Sequence, residues 1–511
     1  MRNKEYLTKN NFDKNRNGGI LLHPTSLPGN YGIGELGSHL YRFLDFLHRF
    51  KQGIWQILPL GPTGYGNSPY QCFSAFAGNP LLISLENLIE IGLLNSEDCQ
   101  PLEAFPESYI DYGKVIPCKW ALLKLAFKKF EEFKHSKLKK MFLQFIKDQS
   151  YWLEDYSIFM SIKLSNNLIA WNEWDDALKF RDEIALEAWE RNNLMEIEFH
   201  KFTQFIFFKQ WDEIKNYAHQ KNIIIIGDIP IFVAYDSVDV WAHPEFYYLD
   251  NNRQMKYIAG VPPDYFSSNG QRWGNPLYNW KVMKSQNYIW WIERIKHTLN
   301  QVDILRIDHF RGFESYWQID ANEETAIKGK WVSGPGLDLF QKLKDVLGNL
   351  PIIAEDLGLI TPEVEDLLMQ TGFPGMRVLQ FAFMDKSENP SRNKYFPHNY
   401  QPNAIVYTGT HDNQTTKAWF NDSSETIKNL VLDYTNSDGK DIVGDLIRLV
   451  WSSVAKIAVI PLQDLLRLGD EARMNFPGTI GNNWIWRFTW DQITDQLGKE
   501  LMKLSSLYGR F

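Results

Sequence analysis

Eight short stretches punctuate the chain, most bounded by Gly or Pro, in which an apolar run leads into polar residues. They are GGILLHPTSLPG (18–29), GIWQILPLGPTG (53–64), NIIIIGDIPIFV (222–233), VDILRIDHFRG (302–312), LPIIAEDLG (350–358), MRVLQFAF (376–383), AIVYTGTHDN (404–413) and KIAVIPLQDLLRLG (456–469). Continuous rather than alternating hydrophobicity marks strands buried on both faces, as in parallel sheets. Between most of the runs the apolar positions take helical spacing, as at 39–50, 337–348 and 362–372, the last with Thr361 as candidate N-cap.

Strand and helix in alternation imply a parallel sheet with right-handed crossovers. Eight strands is the number that closes a (β/α)8 TIM barrel. A doubly wound open sheet also fits the alternation, but the strand count and two long insertions favour the barrel. The expected organisation is one catalytic α/β barrel domain over 1–511, with a helical insertion subdomain at 65–215 and a loop-rich insertion at 234–290. The second insertion contains GVPPDYFSSNGQRWGNPLYNW (260–280), and an irregular segment of that length in a compact enzyme is usually a lid or binding loop.

Charge narrows the partners. A formal net charge of −8 gives no basic footprint for nucleic acid or an anionic membrane, so neither partner is expected. The three cysteines, Cys72, Cys99 and Cys118, are scattered without C-x-x-C spacing, which fits reduced thiols and no metal site. The polar start MRNKEYLTKNNFDKNRNGG has no secretory apolar core, and no apolar run reaches membrane-spanning length, so a soluble, cytoplasmic protein is expected. Aromatic residues make up 15% of the chain; they stack well on sugar faces, but most are expected in ordinary cores.

In a barrel, polar residues at the carboxyl ends of strands carry a functional expectation. Three of the expected strands end in a carboxylate: Asp308 in RIDHFRG, Glu355 in AEDLG and Asp412 in TGTHDN. Arg306, two residues before Asp308 on a strand, should share its face and favour the ionised acid that a nucleophile requires. An isolated R-x-D also fits a purely structural ion pair. Glu355 follows the apolar run PIIA, and partial burial there raises a carboxyl pKa toward what a general acid needs. Asp356 beside it should point elsewhere, to cap the following turn. A nucleophilic acid with a separate protonated acid is the device of retaining glycosidases, with carboxyl groups about 5 Å apart.

An ordered series of motifs makes the resemblance specific: HPTSLPG (23–29), GNSPYQ (66–71), GDIPIFV (227–233), the 260–280 segment, RIDHFRG (306–312), AEDLG (354–358), TGTHDN (408–413) and EARMNFPGT (471–479). Together they span nearly the whole chain, which resembles the amylomaltases or disproportionating enzymes, 4-α-glucanotransferases of the α-amylase-like barrel clan. The resemblance implies Asp308 as nucleophile, Glu355 as general acid/base and Asp412 as the third carboxylate, bonding sugar hydroxyls and helping distort the ring. It implies that Arg306, His309 and His411 complete the donor-sugar pocket. It further implies sugar contacts from Ser68, Tyr70, Asp228, Asp264, Gln271, Trp273, Asn275 and Asn475, with Trp273 stacking on a ring. The implied partners are malto-oligosaccharides and α-1,4-glucans, and neither a metal nor an organic cofactor is implied. Arg311 and Glu314 receive no catalytic role. Two rivals stay open, a hydrolase of the same clan and a catalytically silent glucan-binding protein.

Overall fold

The computed structural model describes residues 15–100, 104–132, 137–263, 267–384 and 392–510. Its centre is a closed barrel of eight parallel strands. These are β1 (Asn17–Leu21), β2 (Ile54–Gln56), β3 (Ile224–Pro230), β4 (Ile304–Asp308), β5 (Ile352–Ala354), β6 (Gly375–Val378), β7 (Ala404–Tyr407) and β8 (Ile457–Pro461). Each lies within or at the edge of one of the eight apolar runs. Neighbours around the ring follow chain order, and pairing of β1 with β8 closes it, with Gly18 opposite Ala458.

Burial on both faces is the physical cause of the continuous runs: β1, β2 and β8 are buried at every position. The strands are held close enough that some positions admit only glycine. A Cβ on Gly19 would sit 2.2 Å from the Ile54 carbonyl oxygen, so any larger residue would push β1 off β2.

Helices pack outside the barrel. Ser38–Arg49 follows β1, Gly336–Leu347 follows β4 and Pro362–Thr371 follows β5, close to the expected spans. Thr361 occupies the N-cap of the last, although its side chain does not bond the backbone there. The long excursion between β2 and β3 is helical, with Tyr112–Glu132, Lys137–Ser165 and Leu194–Gln220. The last of these runs unbroken past residue 215, because Trp211, Ile214 and Ala218 are fully buried in the core that surrounds the barrel.

A second sheet was not foreseen. Strands Gln271–Pro276, Tyr257–Val261, Ser315–Asp320 and Gly329–Ser333 lie in that spatial order, all antiparallel. The stretch expected to be loop-like, 234–290, therefore supplies two strands, whose partner comes from the segment after β4. No helix among the described residues is long and apolar enough to cross a membrane.

Candidate active site

The strand register brings the acids together. Parallel pairing sets Asp228 opposite Arg306 and Pro230 opposite Asp308 across β3 and β4, and Ile307 opposite Ala354 across β4 and β5. Residues at the carboxyl ends of three adjacent strands therefore converge, as the rim of a parallel barrel requires.

Arg306, 3% exposed, is the hub of this rim. Its Nη2 donates to Asp308 Oδ1 at 2.9 Å and its Nη1 to Asp228 Oδ2 at 2.5 Å. Tyr70 Oη also donates to Asp228 Oδ2, at 2.8 Å. One guanidinium thus spans two carboxylates, and the burial cost of the cation is offset by that double pairing. Asp228 is pushed up to about 7, first by burial, against the pull of Arg306 and with the added repulsion of Asp308. Its Oδ1 is buried without a hydrogen-bond partner among the described residues.

Glu355 is held by the backbone. The amide of His309 donates to Oε2 at 2.7 Å, and the amide of Leu357 donates to Oε1 at 2.7 Å. Because His309 immediately follows Asp308, the first of these bonds makes the two acids neighbours. Burial pushes the Glu355 carboxyl up to about 8, Asp308 adds to the rise, and Arg306 with the two amides opposes it. A carboxyl so placed carries its proton at neutral pH.

His309 takes a left-handed backbone, φ 54°, at the turn out of β4. Its ring meets Trp273 edge to face at 4.8 Å, and its Nε2 is buried with no hydrogen-bond partner among the described residues. Burial, with the nearby charge of Arg311, lowers its pKa to about 3, so the imidazole is neutral. Trp273 in turn donates from Nε1 to Gln271 Oε1 at 3.0 Å.

On the other flank, Asp412 receives Asn475 Nδ2 on Oδ1 at 2.6 Å and lies 3.4 Å from His411 Nε2. His411 stacks on Tyr70 with centroids 5.3 Å apart, and burial lowers its pKa. The loop bearing both is fixed from beneath by Asp464, which is 1% exposed. Its carboxylate accepts Thr408 Oγ1 at 2.6 Å, Thr416 Oγ1 at 2.6 Å and the Thr416 amide at 2.7 Å.

Asp308, Glu355, Arg306, His309, Asp228, Tyr70, Trp273 and Gln271 are thereby linked, with Asp412, His411 and Asn475 joined to them through Tyr70. Ser68 accepts the Tyr70 amide at 3.2 Å and so shapes that loop. Asn275 is 4% exposed, and both ends of its amide are engaged, by Gln71 Nε2 and by the Val233 carbonyl. Asp264 lies outside the described residues. Asp356 does not cap the turn after β5. It accepts the Met376 amide at 2.6 Å and pairs with Arg377 at 2.9 Å, because β6 runs alongside and offers a buried amide and a cation.

Two neighbours of the site had not been singled out. Trp484 packs on Tyr70 and His411 at 5.8 and 5.9 Å, and Arg473 Nη2 donates to the Asp412 carbonyl at 3.1 Å. Arg473 sits in the EARMNFPGT motif and could have been suspected from its company; nothing local distinguishes Trp484 among 19 tryptophans.

Comparison with known proteins gives a consistent result. A family model described as 4-alpha-glucanotransferase matches residues 22–493. A 4-alpha-glucanotransferase of Synechocystis sp. is 49% identical over 96% of this chain and 97% of its own. One from Thermus thermophilus is 47% identical over 95% and 97%. Among solved structures, an amylomaltase from Streptococcus agalactiae in complex with acarbose superposes with a TM-score of 0.93 at 41% identity, covering 97% of this chain and 99% of that one.

Proposed function

Because the chain belongs to the 4-alpha-glucanotransferase family, enzymes that move a segment of an α-1,4-glucan onto an acceptor sugar, we propose how its own residues divide that work. Asp308 is the nucleophile. With Oδ1 held by Arg306, its other oxygen attacks the anomeric carbon of the donor glucan while Glu355 gives its proton to the departing glycosidic oxygen. The carbon–oxygen bond to the leaving sugar breaks as the ester to Asp308 forms. Glu355, now a carboxylate, takes the proton of the acceptor 4-hydroxyl, and that oxygen displaces Asp308 with the α configuration retained.

One observation carries this assignment. The buried carboxyl of Glu355 is bonded by the amide that directly follows Asp308, so a protonated acid stands beside a carboxylate fixed by a guanidinium. That pairing of roles is what a retaining double displacement requires.

Asp412, oriented by Asn475, and the neutral rings of His309 and His411 are assigned to the donor sugar's hydroxyls, with Asp228 and Tyr70 supporting Arg306. His309 Nε2 has hydrogen-bonding capacity that no described residue uses, which supports such a role. Ser68 and Asn275 fit best as shapers of the binding loops.

Trp273 and Gln271 belong to the 234–290 excursion, which we assign as the lid. The helical excursion supports it: Lys163 Nζ donates to Asp236 at 2.6 Å, Trp171 Nε1 to the Tyr235 carbonyl at 2.7 Å, and Trp241 Nε1 to the Leu178 carbonyl at 2.9 Å. A lid that binds the incoming sugar and limits water's approach would favour transfer over hydrolysis. We assign the protein as a cytoplasmic enzyme acting on malto-oligosaccharides and longer α-1,4-glucans, and the net charge of −8 gives no basic footprint for nucleic acid or an anionic membrane.

Incubation with maltotriose tests the activity and both rivals. Glucose together with longer malto-oligosaccharides is the expected product set, absent with Asp308→Ala. Products shorter than the donor alone would indicate a hydrolase, and intact maltotriose after long incubation, with binding still detectable, a binding protein.

A further inference from the structure

The charged end of β4 carries one more buried cation, which the chemistry above leaves without work. Arg311 lies in the turn Phe310–Phe313 and is only 4% exposed. Burying a guanidinium is costly unless its donors and faces are engaged. Its Nη1 donates to the carbonyl of Leu359, and its Nη2 donates to Ser315 Oγ at 3.2 Å. Its plane covers the ring of Trp331, 3.8 Å from the centroid. Ser315 Oγ is itself anchored, donating to Glu314 Oε2 at 2.5 Å.

These partners come from two places. Ser315 and Trp331 lie on neighbouring strands of the second sheet, Ser315–Asp320 and Gly329–Ser333, whereas Leu359 belongs to the loop after β5. That loop turns at Gly358, φ +80°, a conformation that strains any residue with a side chain. Just before the turn, the Leu357 amide makes its bond to Glu355 Oε1. The order of contacts is therefore sheet, Arg311, Leu359 carbonyl, loop, Leu357 amide, Glu355.

We infer that Arg311 is a positioning residue for Glu355, pinning the 356–359 loop to the second sheet so that the Leu357 amide stays on the carboxyl. The inference rests on the reading of Glu355 as the acid/base. It accounts for Glu314 as well, which orients the serine that holds the guanidinium. It also gives the second sheet two connections to the centre: the strand at one edge carries Trp273, and the strand at the other edge carries Trp331.

The test compares Arg311→Met, which keeps length without donors, and the milder Ser315→Ala with the parent enzyme. The measurements are kcat, KM and the alkaline limb of kcat/KM with maltotriose, together with the melting temperature. Arg311→Met is expected to lower kcat roughly 10- to 100-fold, the scale of a misplaced catalytic group, with KM changed less than about 2-fold. An amide bond favours the carboxylate, so its loosening moves the alkaline limb to higher pH. Ser315→Ala should move the limb the same way by less, and Arg311→Lys, which retains the charge and one donor, should recover part of the loss. A limb unmoved in both Arg311→Met and Ser315→Ala, whatever the melting temperature, overturns the inference. Glu355→Gln separates the two levels: if it retains transfer from maltotriose, the reading of Glu355 falls and the inference with it. If it loses transfer while the limb of the Arg311 and Ser315 variants stays in place, only the positioning role of Arg311 falls.

Discussion

Replacing Glu355 by Gln removes a charge that the fold resists, so the substitution should stabilise the protein at high pH while removing its activity. The folded carboxyl is raised from 4.5 to about 8, chiefly by burial. The sign follows from linkage. The folded state binds this proton more tightly than the unfolded chain, so stability falls as pH rises from about 4.5 and the loss is complete only above about 8. At about 1.4 kcal/mol per pH unit, the full span is worth on the order of 5 kcal/mol. Gln cannot titrate, so it escapes this loss, but it has a cost of its own. Both carboxyl oxygens accept backbone amides, from His309 and Leu357, and the Gln NH2 group must face one of them. An unsatisfied buried donor costs roughly 1–3 kcal/mol, independent of pH. The variant should thus be equal to the parent or weaker at pH 5 and more stable by about 2–4 kcal/mol at pH 9. Urea melts of both proteins at pH 5, 7 and 9, followed by tryptophan fluorescence, measure the difference. A gap that stays constant with pH, or that moves in favour of the parent as pH rises, would refute the burial argument.

Other consequences are separately measurable. The kcat/KM of the parent should fall about tenfold per pH unit above about 8, where free Glu355 loses its proton; a flat profile to pH 9.5 would contradict its role as acid. Trp273→Ala should lower the ratio of transfer to hydrolysis roughly tenfold, read from glucose release without chain lengthening; if ratio and sugar affinity both stay unchanged, the lid has no such function. Asp464→Ala leaves the Thr408 and Thr416 donors unsatisfied in a buried place and should cost about 3 kcal/mol or more. That loss should appear in urea melts together with reduced transfer, since the loop bearing His411 and Asp412 is loosened; full activity in a folded variant would separate Asp464 from the site.

The barrel was legible because its strands are buried on both faces, which leaves continuous apolar runs with little ambiguity. Their ends were less so. The run 18–29 yields a strand of Asn17–Leu21 only, since Pro24 starts a tight turn over Pro24–Ser26. The second sheet escaped because its pairings are distant in sequence, joining Tyr257–Val261 to Ser315–Asp320, and because Gly and Pro in the 260–280 segment read as loop. Nor does SYWQID alternate cleanly, since Trp317 is partly exposed while Gln318 is buried. Among site residues, those at strand ends could be foreseen from register alone, as Arg306 beside Asp308 illustrates. Asp356 and Arg311 could not, because each is explained by a partner on another segment, Met376 and Arg377 for the one, Leu359 and Trp331 for the other.

The proposal that Asp308 forms the glycosyl ester is tested most directly by trapping it. Glu355→Gln slows the second displacement by removing the base, while a maltosyl fluoride donor needs no acid for departure, so the ester should accumulate. Rapid acid quench, proteolysis and mass analysis should show a maltosyl increment on the peptide containing Asp308, absent when Asp308 is replaced by Ala. An increment on another carboxylate, or donor consumption with no labelled peptide, would contradict a double displacement through Asp308.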